Sequence, residues 1–285
     1  MALSTAVIVA ALAGAAVAQA PAPAGNFGGG GLVPPPRDHF GAGNAVIAVR
    51  ALPGRKLEIE ATFRGSCGGG EIAASTTVAE DGSFGADGTV RTTPGRETVT
   101  TTFKLAGTYT SADAASGVMS ATIKRRAAGT TKSCRSGEVR FGIRRPDGVV
   151  GKPGAQPGAT YYGTTSQRGV GPRRPIVLRI SDEGDTISRA LFGESVKCSD
   201  DTQAAGLEAP RTNAAIDSKG RVDDHERFTI RQGNAIVKVN DSFTGVFGET
   251  GAHGTFSLSD RTTDKTTGLV LRTCKSGVVK WTAAP

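Results

Sequence analysis

No catalytic motif runs through this chain. It lacks G-x-S-x-G, H-E-x-x-H, a P-loop and any G-x-G-x-x-G that opens a helix, so a nucleophile elbow, a zincin site and a phosphate cradle are not written in it. Histidine is scarce: His39, His225 and His253 are the whole supply, and no catalytic residue is assigned from them. An enzyme reading, hydrolase-like, would need a cleft holding His225 or His253 beside a carboxylate. Aromatics are 5% of the residues, which leaves few stacking platforms and argues against a nucleic-acid partner. No two of the four cysteines are close enough in sequence for a structural zinc site. The acidic clusters Ser181–Asp185 and Asp223–Glu226 carry oxygens suited to Ca²⁺, yet Asp and Glu around Gly are equally what hairpin turns take. The sequence therefore implies no metal and no cofactor.

Long apolar runs are missing too, with one exception. Ala6 to Ala18 is uncharged and apolar, ends in Ala-Gln-Ala at 18–20, and is followed by Pro21 and Pro23. A spanning helix needs roughly 20 apolar residues, so the pattern is that of a secretory signal peptide over 1–20. A secreted or extracellular location at a bacterial cell envelope follows, with membrane contact expected only if that segment stays uncleaved. Residues 21–37, rich in Pro and Gly, read as a flexible leader.

What the chain does have is repetition. "CRSGEVRF" (Cys134 to Phe141) and "CKSGVVKW" (Cys274 to Trp281) are one phrase written twice. "VAEDGSF" (78–84) matches "IDSKGRV" (216–222), "FRGSC" (63–67) parallels "FGESVKC" (192–198), and "HFG" (39–41) parallels "YYG" (161–163). Four matches in the same order predict a duplicated domain. The boundaries are 38–145 for the first copy, 146–159 for a Pro/Gly linker, and 160–285 for the second.

Within each copy the hydrophobic period is two. Leu57, Ile59, Ala61 and Phe63 share one face against Glu58, Glu60, Thr62 and Arg64; Val99, Phe103 and Leu105 alternate likewise. Turn signals such as Asp81-Gly82 and Lys219-Gly220 recur at short spacing. The fold class is therefore all-β: two tandem antiparallel sandwiches or small barrels. Four cysteines allow three pairings, and duplication selects one, because each ancestral domain closed itself: Cys67 with Cys134, and Cys198 with Cys274. The Ser-Gly after Cys134 and Cys274 reads as a turn or bulge, and the Val and aromatic that follow read as core.

The net charge of +8 is shared between the copies. Arg135 and Arg140, their counterparts Lys275 and Lys280, and the nearby Lys124, Arg125 and Arg126 form a candidate polyanion-binding strip. Tyr109, Tyr161, Tyr162 and Trp281 are candidates for stacking on sugars, but the repeated positions suit core packing equally well, and Trp281, facing inward with Phe141, reads as core. The pattern of aromatic-Gly, Cys, aliphatic-x-x-x-Gly-x-apolar and Cys-x-Ser-Gly-x-Val-x-aromatic resembles repeats in secreted bacterial proteins of unknown function, a likeness that implies no activity. The reading that emerges is a non-enzymatic binding or structural module, with a cell-wall polymer or polysaccharide as partner.

Overall fold

Strands with one apolar face bury it by curling into a closed or nearly closed sheet. The computed structural model describes residues 24–32, 44–93, 97–208 and 213–285, and every regular element among them is a β-strand. The first domain comprises β1 (Gly25–Gly31), β2 (Ala45–Leu52), β3 (Lys56–Gly65), β4 (Gly68–Thr77), β5 (Ser83–Thr92), β6 (Thr98–Ser111), β7 (Ala114–Ala127) and β8 (Thr130–Arg144). The second comprises β9 (Thr160–Arg168), β10 (Arg173–Ile180), β11 (Thr186–Cys198), β12 (Gln203–Glu208), β13 (Ala214–Ala215), β14 (Arg221–Gln232), β15 (Ala235–Phe247), β16 (Ala252–Asp264), β17 (Val270–Lys275) and β18 (Val279–Ala284).

The spatial orders are β4-β3-β2-β1-β8-β7-β6-β5 and β12-β11-β10-β9-β18-β16-β15-β14, all neighbours antiparallel. They are the same order, with β17 and β18 together standing for β8. Two barrel-like all-β domains result, with disulfides Cys67–Cys134 and Cys198–Cys274.

The repeated phrase explains itself residue by residue. Ser136 is buried; its Oγ accepts the Ala121 N–H at 2.9 Å and donates to the Gly137 carbonyl at 2.7 Å. Ser276 repeats this with Leu258 and Gly277, both at 2.8 Å. Gly137 and Gly277 have φ of 73° and 69°, a left-handed conformation that favours glycine. The pair is a β-bulge, and it reverses which alternate residues point inward. Cys134 therefore faces the core before the bulge, while Val139 and Phe141 face it after; Cys274, Val279 and Trp281 do the same. The other matched phrase is a shared turn. Gly82 N–H bonds the Ala79 carbonyl and Gly220 N–H the Asp217 carbonyl, and each turn's carbonyl receives the N–H of Tyr109 or Phe247.

Three sequence expectations need correction. The stretch read as a flexible leader contains β1, which pairs with both β2 and β8. It has almost no side chains to pattern, because it fills a narrow slot. The true counterpart of Tyr161-Tyr162-Gly163 is Phe27-Gly28-Gly29, since Gly29 lies opposite Ile143 as Gly163 lies opposite Ala283; His39-Phe40-Gly41, like the signal segment, lies outside the described residues. The cysteines of the third match do align, but its phenylalanines do not: strand pairing sets Phe63 at the level of Glu194, and Phe192 at that of Ala61.

The barrels meet along β1 and β2 on one side and β9, β10 and β11 on the other. Val46, Val177 and Leu191 are buried there, with Leu32 and Tyr162 packed against them. Polar ties frame this seam. Glu60 accepts the Gly171 N–H at 2.9 Å and faces Arg174 at 3.5 Å, and Asn26 Oδ1 accepts the Arg173 N–H at 3.1 Å.

Candidate functional site

The aromatics proposed to stack on sugars are not at the surface. Tyr109, Tyr161 and Trp281 are each at most 2% exposed, and Tyr162 lies in the seam between barrels. Trp281 stacks on Phe243 with ring centroids 5.1 Å apart, and Tyr161 meets Phe247 edge-on. Inward position, set for Trp281 by the bulge and for Tyr109 and Tyr161 by strand alternation, commits them to the core.

The predicted bases fare differently, and strand register decides which belong together. On the outer face of the first barrel, one row of neighbours runs Thr89, Thr102, Thr122, Arg135 across β5 to β8, and the next runs Arg91, Thr100, Lys124, Ser133. On the second barrel the same two rows read Arg227, Asn240, Ser259, Lys275 and Thr229, Lys238, Arg261, Thr273. Rows lie about 7 Å apart and strands about 4.8 Å apart, so each face is a grid of bases among hydroxyls and amides. No Asp or Glu stands in these rows. All these Arg and Lys side chains are exposed. Hydroxyls interlock within the faces: Thr89 with Thr102 at 3.0 Å and, two rows higher in the second barrel, Thr244 with Thr255 at 2.9 Å.

Arg135 and Lys124 thus come together in adjacent rows as the sequence suggested, with Arg126 one row below Lys124. Arg125 does not join them. It points the other way and is held by Glu97 through two bonds, of 2.8 and 2.6 Å, which keep the Glu97 carboxyl below its ordinary value. Arg140 and Lys280 lie beyond the bulge, at matching places, and Arg140 has Glu138 at 4.0 Å. Arg91, Arg227, Lys238 and Arg261 complete the grids and were missed by sequence reasoning. Their signal was alternation on β5, β14, β15 and β16, readable only once pairing is known. Beside the first grid runs a groove of about 470 Å³, lined by Gly85, Ala106 and Val118 and by the acids Asp87 and Glu138. It adjoins a second groove of about 240 Å³ that reaches Thr102, Thr122 and Arg135, the two sharing Lys104 and Ser120.

Titratable groups gather in two other places. A cavity of about 190 Å³ in the seam is lined by Glu60, Glu71 and Arg174. Burial pushes the Glu71 carboxyl above its ordinary value; Arg174 opposes this and Glu60 adds to it. Glu60 and Arg174 bind across the seam, so this cluster serves to join barrels. His225 has Asp223 at 3.1 Å, but both are mostly exposed on the open outer face of β14, and neither lines that cavity. Among the described residues no three His, Cys, Asp or Glu side chains are grouped to hold a metal ion.

The second gathering is inside the second barrel. Positions filled by Phe63, Phe103 and Ile123 in the first barrel are Glu194, Asp241 and Asp260 in the second. The first barrel accordingly has one continuous apolar core, while the second has a large cluster around Trp281 and a small one around its disulfide. Burial raises the Asp260 carboxyl above its ordinary value, against the pull of Arg272. A carboxyl raised on folding contributes stability that is present below its unfolded value of 3.8 and lost as pH rises through the native one. Asp260→Ile, the first barrel's residue, is therefore expected to stabilise the second barrel at pH 7 by up to about 1 kcal/mol, solvent screening and the lost partners Thr262 and Arg272 reducing the gain, and by less at pH 4. Urea unfolding followed by Trp281 emission measures this; an unchanged or lower midpoint at pH 7 contradicts it.

Fold and faces define a class, a tandem of antiparallel β-barrels, each stapled by one disulfide and each bearing a basic outer grid. No family model matches the chain, and no curated protein matches it. Among solved structures, kievitone hydratase from Nectria haematococca aligns over 95% of this chain and 92% of that one, at 5% identity and a TM-score of 0.21, a likeness too slight to carry any argument. The two disulfides indicate an oxidising environment.

Proposed function

We propose that this protein is a non-enzymatic binding module of the bacterial cell exterior, holding an anionic wall polymer or acidic polysaccharide across the outer faces of its two barrels. One observation carries the reading: rows of bases among hydroxyls recur at register-matched positions in both barrels, with no carboxylate between them. A sheet face is flat and repeats at a spacing fixed by its strands, which suits an extended polymer better than a small ligand. Bases attract its phosphates or carboxylates, and the interleaved Thr, Ser and Asn side chains offer hydrogen bonds to its hydroxyls. Two such faces on one chain gain further by avidity, because the second contact is intramolecular. The oxidised cysteines and the signal-like N-terminus agree with an exported protein.

The test is retention on immobilised phosphate-bearing wall polymer and on a uronic-acid polysaccharide across a salt series. Affinity is expected to fall steadily as salt rises, since exposed charges are screened. Replacing Arg91, Lys124 and Arg135 by Ser, or Arg227, Lys238, Arg261 and Lys275 by Ser, is expected to weaken binding about tenfold each, roughly 1.4 kcal/mol. Both sets together are expected to abolish retention at moderate salt. Retention indifferent to salt, or a combined variant that binds like the native protein, overturns the reading.

A further inference from the structure

The second barrel carries something its twin lacks. At the end of its grid, the hairpin joining β16 to β17 presents Leu269, Val270 and Leu271, exposed by 67%, 46% and 56%. Three consecutive exposed aliphatics are an uncommon surface feature, and they sit on a built tip. Asp264 accepts the N–H groups of Thr266 and Thr267, and Asn234 from the adjoining β14–β15 turn donates to the same carboxylate at 2.9 Å. Lys265 N–H bonds the Asn234 carbonyl, so the two turns form one end of the barrel. Val270 lies in a row with Thr263, Ile236 and Arg231, and the next row up holds Lys238 and Arg261. Lys265 and Arg272 flank the aliphatics in sequence, and both are exposed. The nearby acids are Asp264, engaged in its turn, and Asp200 and Asp260, both in the field of Arg272. In the first barrel the matching tip is Ala127, Ala128, Gly129, Thr130 and Thr131, with no large apolar side chain.

We infer that the second barrel docks tip-first on an anionic lipid surface, with Leu269, Val270 and Leu271 entering the headgroup boundary and the surrounding bases facing lipid phosphates. An apolar point inside a basic collar is the arrangement that binds such surfaces, the aliphatics by burial and the bases by attraction to negative headgroups. Charge decides against a second copy as the occupant. Pairing two tips would set Arg231, Lys238, Arg261 and Lys265 against their own duplicates. The inference borrows the second barrel's grid from the polymer reading but adds a different partner and a different set of residues.

Flotation of the full oxidised chain with vesicles of phosphatidylcholine and phosphatidylglycerol, 3:1, tests it, with pure phosphatidylcholine vesicles alongside. The native chain is expected to float with the anionic vesicles and not with the neutral ones. L269S/V270S/L271S is expected to lose flotation at least tenfold, while its polymer retention and Trp281 emission stay unchanged. Leu269→Trp is expected to shift its emission to the blue on adding anionic vesicles. A triple Ser variant that floats like the native chain shows charge alone at work and overturns the insertion. A native chain that holds polymer but ignores anionic vesicles overturns the inference and leaves the polymer reading standing. A dimer in light scattering that the triple Ser variant abolishes assigns the tip to a second copy and overturns it as well.

Discussion

Removing the bridge from the first barrel, by Cys67→Ser with Cys134→Ser, is expected to cost more stability than removing the bridge from the second. Chain entropy alone does not separate the two. The bridged residues are 67 and 76 apart, and closing loops of that size is worth about 4 kcal/mol in either case. What differs is how much else closes each barrel at that point. In the second barrel Cys198 lies directly opposite Cys274 in the pairing of β11 with β17, and Lys197 lies opposite Lys275 beside it. Ser199 adds hydrogen bonds to both backbone groups of Thr273. Loss of the sulfur bond there leaves a ladder in place. In the first barrel Cys67 sits in the turn between β3 and β4, and β3 has no ladder with β8; the Cys67 N–H donates to Cys134 Sγ itself, at 3.2 Å. That contact goes when the sulfur does. Calorimetry is expected to show the first barrel's transition falling by most of the ~4 kcal/mol. Trp281, the single Trp of the chain, reads the second barrel separately, and its urea midpoint should fall clearly less with Cys198→Ser and Cys274→Ser. Equal losses in the two barrels, or a larger one in the second, would contradict the difference in closure.

How far the fold was legible follows from what side chains announce. Two-residue alternation along β3 and β6 gave the class, and the repeated phrases gave the duplication and hence the cysteine pairs. The Ser-Gly bulge was legible as local punctuation, although its effect on facing, which puts Cys134, Val139 and Phe141 on one side, appears only with the pairing. Legibility failed where register carries the information. Glu194 looks like one more polar residue in "FGESVKC", and only the alignment of strands shows it occupying the place of Phe63. The grids failed for the same reason: Arg91 and Arg135 are 44 residues apart in number and lie in one face because four strands are stacked in order. The strip drawn from sequence neighbours had to include Arg125, which alternation turns inward toward Glu97. Surface function on a sheet is written across strands, and a single sequence is read along them.

The least legible element is also the one whose smallest change should have a large effect. Gly28 belongs to a strand that composition assigned to a leader, yet it stands where the two barrels touch. A Cβ built there would lie 2.0 Å from the Gly163 carbonyl oxygen and 2.8 Å from Thr164 Cγ2, both in the other barrel. Real side-chain carbons do not approach a backbone oxygen so closely, and the obstacle is main chain held in pairing with β18 and β10, so it cannot rotate aside. Gly28→Val must therefore part the barrels or expel β1 from between β2 and β8. Parting them exposes Val46, Val177 and Leu191 and breaks the reach of Glu60 to Gly171 and Arg174. Expelling β1 removes Phe27, fully buried against Tyr109, from the first core. Either way the cost is expected at or above the upper end of the ~1–3 kcal/mol usual for overpacking, with the native first barrel opening to protease near the Pro-rich segment that follows β1. Trp281 emission should keep its buried character, because its ring packs on Phe243 and Phe247 inside the second barrel, even though β18 is the strand paired with Gly163. A Gly28→Val protein with native melting behaviour and native protease resistance would show that β1 does not occupy the slot, and that the Gly-rich stretch is the loose leader its composition suggests.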